Sequence, residues 1–275
     1  YSLQRAYSKW GYDCYVLLMD FSKYFDNIVH SKLLEELRPL LDEPMYNFMI
    51  DRFREFEVDV SYMSDEEFAV CTETLFNSLD YNLLDEEIRT KGEKFMGKSM
   101  GIGSQTSQIS GLFYPHQMDN YCKVIRGIKE YGRYMDDTYL ILQTKEEIND
   151  ILHNGIIPIC NSLGIHINMK KTRILKLNNP ITYLKLNYLI LPTGKVITKV
   201  LSESFTRERK RMARFRHLVD LNRMSLEDAL CCYKGWRGTY IKYDSGYDIK
   251  KLDDYVLQLF PEFNRVMFKK GGKLQ

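Results

Sequence analysis

With 275 residues, 44% of them hydrophobic and 28% charged, the chain has an ordinary globular composition and can bury one large core or two modest ones. No uninterrupted apolar run approaches the ~18 residues of a membrane span, and no signal peptide opens the sequence. Six cysteines form neither a CxxC nor a Cys/His cluster, which fits reduced, buried thiols in a cytoplasm better than a disulfide framework or a zinc site.

The net charge of +2 is unevenly spread. From Lys199 to Arg223 eight Lys or Arg face three acids, and Arg265, Lys269, Lys270 and Lys273 follow the last acid, Glu262. Acids concentrate earlier, in the stretch Asp65–Asp85. Such a basic C-terminal third fits either a polyanion partner or a solvated helix face. The chain begins YSLQRAYSKW without a methionine, so a longer parent protein is expected.

In chain order, CYVLLM at 14–19 is an apolar run suited to a buried strand that ends on Asp20. Helical spacing follows over Ser31–Leu41, with Ser31 as N-cap, and over Glu43–Phe56, with Pro44 early in the helix. Residues 57–90 are largely helical in pattern but weakly so. GKSMGIGSQTSQISG reads as a loop entering a helix over Gln108–Lys129. A hairpin at 131–142 and an amphipathic helix over Lys145–Leu163 come next. Short strands are expected at Ile165–Asn168, Arg173–Leu177, Thr182–Leu186, Tyr188–Leu191 and Lys195–Thr198. The rest is helical to about Phe260, with breaks near 222–224 and 244–246. The order predicts an α+β body followed by a basic helical domain.

Within the hairpin, RYMDDTYLIL places Asp136 and Asp137 side by side between apolar strands. Aspartate is a common turn residue, so the pair alone is only suggestive. Asp20 is a third acid, leaving the end of a buried strand, where unpaired charge is costly. If that strand lies beside the hairpin, three carboxylates converge, and their repulsion calls for a cation. Two Mg²⁺ ions about 3.5–4 Å apart are the usual answer in enzymes that displace phosphate in line.

At these residues the chain resembles reverse transcriptases. DFSKYFDNI looks like motif A, GIGSQTSQ lies where motif B belongs, and YMDD looks like motif C. LGIHINMKKTRIL and TYLKLNYLI resemble motifs D and E, the latter the primer-grip hairpin. The resemblance implies a right-hand polymerase: an α+β palm, an antiparallel sheet backed by helices, then a helical thumb, with fingers largely absent because only 19 residues precede Asp20. Residues 1–200 would form the palm, with a helical insertion near 31–95, and 201–275 the thumb.

Carried over position by position, Asp20, Asp136, Asp137 and the backbone carbonyl of Phe21 would hold the two Mg²⁺ ions, with Mn²⁺ as a substitute. Phe25 would be an aromatic gate under the sugar that favours dNTPs; read structurally, it is one core aromatic among many. Tyr134 and Met135 would lie near the primer terminus, and Lys171 would be the motif D proton donor, with Lys170 adjacent. Ile102, Gly103, Ser107 and Gln108 form the motif B string IGxxxSQ, in place of the commoner QGxxxSP. The plainer reading makes Gly103 a turn residue and Ser107 an N-cap. Arg207, Arg209, Lys210, Arg211, Arg214 and Arg216 would meet phosphates. Trp236 reads as a core anchor rather than a stacking platform.

The IGxxxSQ string resembles the reverse transcriptases of diversity-generating retroelements, which implies error-prone copying of an RNA template, with a DNA or RNA primer, dNTPs and a small accessory protein as partners. A cytoplasmic, bacterial or phage-encoded enzyme follows from the same likeness. Two alternatives stand beside it: a phage-defence reverse transcriptase making DNA with little or no template, and a non-catalytic nucleic-acid-binding relic of the same fold.

Overall fold

The computed structural model describes residues 1–89 and 92–268; of the basic residues singled out at the C-terminus, Lys269, Lys270 and Lys273 lie outside the described residues. Two compact units divide the chain, Tyr1–Leu177 and Asn178–Gln275. The hairpin strands between 181 and 200 therefore fall in the second unit, whereas the sequence groups them with the first.

The first unit is a mixed helix and sheet body. Helix α1 (Ser2–Trp10) precedes strands β1 (Tyr15–Met19) and β2 (Phe21–Ser22), then a 3₁₀ turn at Phe25–Asn27. Helices α2 (His30–Leu37) and α3 (Glu43–Arg54) follow. The first begins one residue before Ser31, which is not its cap, and passes into a 3₁₀ turn at Arg38–Leu40 because Pro39 interrupts it. Asp42 caps α3, its side chain accepting from the Met45 amide at 3.0 Å. The weakly patterned stretch is a hairpin of β3 (Val58–Asp59) and β4 (Phe95–Met96) enclosing three short helices, α4 (Asp65–Val70), α5 (Ser78–Tyr81) and α6 (Glu86–Arg89). Val60, Phe76 and Met96 give it a small core of its own.

The single helix expected over Gln108–Lys129 is instead α7 (Gln105–Phe113), α8 (His116–Asn120) and a π-helical turn at Tyr121–Ile125. Pro115 has no amide hydrogen to continue α7, so the helix stops and restarts. Strands β5 (Tyr131–Tyr134) and β6 (Asp137–Leu142) form the expected hairpin. Helix α9 (Lys145–Ile151), opened by a capping box at Thr144 and Glu147, runs through a π turn into α10 (Ile157–Ser162). Strands β7 (His166–Ile167) and β8 (Arg173–Lys176) complete the unit.

The central sheet is antiparallel in the order β5-β6-β1-β8. β1 is paired on both sides, to β6 from Tyr15↔Leu142 to Met19↔Thr138 and to β8 from Tyr15↔Lys176 to Leu18↔Arg173. Its apolar run is buried because helices cover it: Leu17, Met19 and Leu140 pack with Met118, Cys122, Ile148, Ile151, Leu152 and Ile156 in one cluster. This is a palm: an antiparallel sheet backed by helices.

The second unit holds a three-stranded sheet, β9 (Ile181–Tyr183), β10 (Leu186–Ile190) and β11 (Val196–Val200), and three helices, α11 (Ser202–Asp220), α12 (Leu226–Tyr240) and α13 (Gly246–Leu259). The helix breaks fall where the sequence placed them. Trp236 packs into this unit's core, edge-on to Phe205 at 5.5 Å and against Tyr240 at 4.9 Å, so it is an anchor. All six cysteines are free thiols; Cys14, Cys122 and Cys160 are buried as expected, but Cys231 and Cys232 are exposed on α12. Among the described residues no helix is long and apolar enough to cross a membrane.

Candidate active site

The β5–β6 hairpin closes on a two-residue turn: Tyr134 pairs with Asp137, leaving Met135 and Asp136 at the tip. Met135 takes a positive φ of 55°, as the first central residue of a twisted hairpin turn must. Glycine is the residue that favours that conformation, and a side chain there stores on the order of 1–3 kcal/mol. The register Met19↔Thr138 brings the end of β1 level with the start of β6, so Asp20 emerges beside Asp136 and Asp137.

A second strand pair adds a cation. Phe21, buried, pairs with Ile167, and the Asn168 amide donates to the Asp20 carbonyl at 2.8 Å. The chain then turns tightly, Lys171 and Thr172 amides both donating to the Asn168 carbonyl, and Lys171 Nζ reaches Asp20 Oδ2 at 2.5 Å. Asp20 is thus the meeting point of the first strand, the hairpin and the motif D turn.

The electrostatics follow from this convergence. Burial pushes the Asp136 carboxyl above its ordinary range, and the Asp20 carboxylate, within hydrogen-bonding reach, pushes it the same way. Lys171 is held above its ordinary value by its hydrogen bond and charge pairing with Asp20, then by Asp136 and Asp137. Among the described residues no three His, Cys, Asp or Glu side chains close into a metal cage. Two adjacent carboxylates already attended by an ammonium nevertheless fit Mg²⁺, which takes one or two protein carboxylates and completes its shell from substrate phosphates and water.

The other residues singled out from sequence fall into two groups. Phe25 is half-buried beside α7: a Cβ placed on Gly111 would stand 2.9 Å from its Cε1. Tyr134 is exposed and Met135 partly so at the hairpin tip, whereas Lys170 is exposed and makes way for Lys171 as the residue on Asp20. In the loop before α7, Ile102 is 84% exposed and Gly103 has a φ of 116°. The N-cap of α7 is Ser104, whose Oγ accepts from the Ser107 amide at 3.0 Å; the reading of Ser107 as the cap is corrected, since Ser107 lies buried within the first turn. Gln108 is exposed on the same helix.

Three contributors escaped sequence reasoning. Arg133, its side chain 6% exposed, forks onto Asp119 with Nε to Oδ1 at 2.9 Å and Nη2 to Oδ2 at 2.6 Å, and Nη1 donates to the Met135 carbonyl at 3.0 Å. Tyr131 also donates to Asp119, at 2.5 Å. The buried hydroxyl of Tyr24 donates to the Gly111 carbonyl at 2.6 Å. The arginine preceding YMDD was in plain view, but its partner sits on another element and no local spacing announces it.

With the acids at the sheet's end and the motif order intact, the sequence matches the family described as reverse transcriptase (RNA-dependent DNA polymerase) over residues 3–189. The chain belongs to that family. A search of curated proteins finds no match. Among solved structures, the reverse transcriptase chain is similar to a telomerase from Candida albicans in complex with a TWJ fragment of telomeric RNA, at 13% identity and a TM-score of 0.44, covering 96% of this chain and 50% of that one. It is also similar to an apo telomerase from Candida tropicalis, at 15% identity and a TM-score of 0.44, over 94% of this chain and 44% of that one. The chain thus spans half or less of these telomerase chains.

In the second unit, the basic residues of α11 are of two kinds. Arg211 is tied to Glu208 at 2.7 Å and Arg216 to Asp220 and Glu262 at 2.5 and 2.9 Å. Arg207, Arg209, Lys210 and Arg214 are exposed, and 207, 210 and 214 share one helix face.

Proposed function

We propose that this chain carries out RNA-templated DNA synthesis, transferring a nucleotidyl group from a dNTP to a primer 3′-hydroxyl. The observation that carries this reading is the convergence of Asp20, Asp136 and Lys171 where β1 meets the β5–β6 hairpin. Asp20, Asp136 and Asp137, with the Phe21 carbonyl, would hold two Mg²⁺ ions, or Mn²⁺ in their place. Bound there, the metal would supply activation of the hydroxyl and stabilisation of the leaving phosphate oxygens. The protein's part is to hold two carboxylates together against their repulsion and to keep Lys171, a proton donor for pyrophosphate, on Asp20. Phe25 selects against a ribose 2′-hydroxyl, and Tyr134 and Met135 bear on the primer end.

Primer extension by the full-length protein on defined RNA and DNA templates tests the proposal, with an Asp136→Ala control. No dNTP incorporation beyond that control would refute it, and would favour a nucleic-acid-binding relic. Incorporation without any template would favour the phage-defence alternative.

The diversity-generating subclass rests on the IGxxxSQ string. Ile102 offers a shape to the nascent base pair and no hydrogen bond, so discrimination weakens. Sequencing of products should show fewer errors at template adenines in Ile102→Gln, by roughly fivefold for a recovered contact of ~1 kcal/mol. Identical error spectra exclude this role, and with it the main support for that subclass.

The exposed cations of α11 are assigned to phosphates of the template–primer duplex, while Arg211 and Arg216 serve the unit's own ion pairs. Each phosphate contact releases counterions, so the slope of log affinity against log salt should fall by about 0.7–0.9 for Arg207→Ala or Arg214→Ala. Arg216→Ala should leave the slope in place. Filter binding across a salt series distinguishes these outcomes.

A further inference from the structure

The last turn of α7 exposes two carbonyls that no helical donor can reach. Gly111 lies four residues before Pro115, whose nitrogen carries no hydrogen, and Leu112 sits in the terminal turn. Both are taken by buried side chains from elsewhere in the first unit. Tyr24 Oη donates to the Gly111 carbonyl at 2.6 Å, and Arg133 Nη2 donates to the Leu112 carbonyl at 2.7 Å.

Each donor is joined to a residue of the proposed chemistry. Tyr24 precedes Phe25, the two rings meeting edge to face at 5.3 Å, and the Phe25 ring rests on Gly111 with no room for a Cβ between them. Arg133 spends its remaining donors on Asp119 and on the carbonyl of Met135, the residue before Asp136 in the strained turn. Asp119 lies on α8, the helix that Pro115 begins. One proline thus frees the Gly111 carbonyl and also starts the helix that holds the arginine's counter-ion.

We propose that the Pro115 break makes the end of α7 a shared anchor, through which Tyr24 and Arg133 act as positioning residues that set Phe25 and the Met135–Asp136 turn against one another. This deepens the polymerase reading and rests on it for the roles of Phe25 and Asp136. Because the two bonds fall on consecutive carbonyls of one helix end, a shift of that end moves both groups together. An isolated role for either bond would move only its own neighbour.

The test uses the full-length protein and two conservative variants. Tyr24→Phe keeps the ring and removes the hydroxyl; Arg133→Lys keeps the charge beside Asp119 and removes the fork. Two quantities are read: dNTP-over-rNTP preference in primer extension, and Mn²⁺ affinity by electron paramagnetic resonance titration, which requires no turnover. A shared anchor predicts that each variant changes both, by about three- to tenfold. In particular, Tyr24→Phe, remote in sequence from the hairpin, weakens Mn²⁺ binding. If each variant moves only its own neighbour's quantity, or only the melting temperature, the shared anchor is overturned. Should Arg133→Lys fail to fold, the Mn²⁺ affinity of Tyr24→Phe decides alone. Phe25→Ala and Asp136→Ala are run alongside. If these leave sugar preference and Mn²⁺ affinity untouched, the assignment of the site itself fails, a result separate from failure of the anchor.

Discussion

Alanine at position 136 is expected to lower primer extension by about a thousandfold or more, the equivalent of ~4 kcal/mol of transition-state stabilisation. Asp136 sits at the hairpin tip, half-buried, with Asp20 within hydrogen-bonding reach, so its removal takes away the carboxylate that faces Asp20. Asp136→Asn should be nearly as inactive, because it keeps the shape and removes the charge that draws a cation in. The stability of the same variants separates chemistry from structure. In EDTA only Lys171 offsets the Asp20–Asp136 repulsion, so both variants should melt at the same temperature as the parent or higher. Added Mg²⁺ should raise the parent's melting temperature and leave theirs in place. A variant that melts well below the parent in EDTA would show that Asp136 holds the fold, and its inactivity would then say nothing about metal.

The second large effect concerns Lys98, which has no solvent exposure and donates from Nζ to the Phe76 carbonyl at 2.7 Å. Burial pushes its pKa down from 10.5 to about 8, against small opposing pulls from Cys71 and Glu73. Below pH 8 the lysine is charged in both folded and unfolded chains, and the folded state bears the full desolvation cost. Between about 8 and 10.5 the folded state releases the proton while the unfolded chain keeps it. The unfolded state then binds more protons, so stability rises with pH, by roughly 3 kcal/mol in total. Lys98→Met should remove that rise. At pH 7 it should stabilise the protein by about 1–2 kcal/mol, after allowing for the lost bond to Phe76. Nearby Tyr62, Tyr81 and Cys71 have raised pKa values and lose their stabilising contribution as pH climbs. Denaturant unfolding should therefore be compared as the difference between parent and variant at each pH. A flat difference from pH 7 to 11 would refute the assignment.

The parts of this molecule that sequence made plain are those whose signal is local. The run at 15–19 is apolar because β1 is paired on both edges and covered by helices, and the alternation around Asp136 follows from a half-buried hairpin. Asp20 was recoverable because it ends such a run. The split of the helix after Phe113 is also legible in the chain, at Pro115, which outweighs the helical spacing running from Gln108 to Lys129. Other features carry no local mark. Arg133 and Asp119 are fourteen residues apart on different elements, Lys98 looks like any solvated lysine, and Arg211 and Arg216 are indistinguishable in sequence from the exposed cations around them. What separates them is a partner brought by the tertiary fold, and amphipathic spacing does not encode partners.

The double pairing of β1 has a consequence for how this protein can change. A strand's side chains alternate faces, so inserting or deleting one residue between Tyr15 and Met19 would exchange the residues packed on the sheet's two sides and turn Asp20 away from the hairpin. An edge strand could slide to absorb the error, but a strand locked between β6 and β8 cannot shift without breaking both ladders. The five residues of β1 therefore act as a ruler of fixed length. Substitutions that keep their apolar character are open to variation, while changes in their number are closed to it.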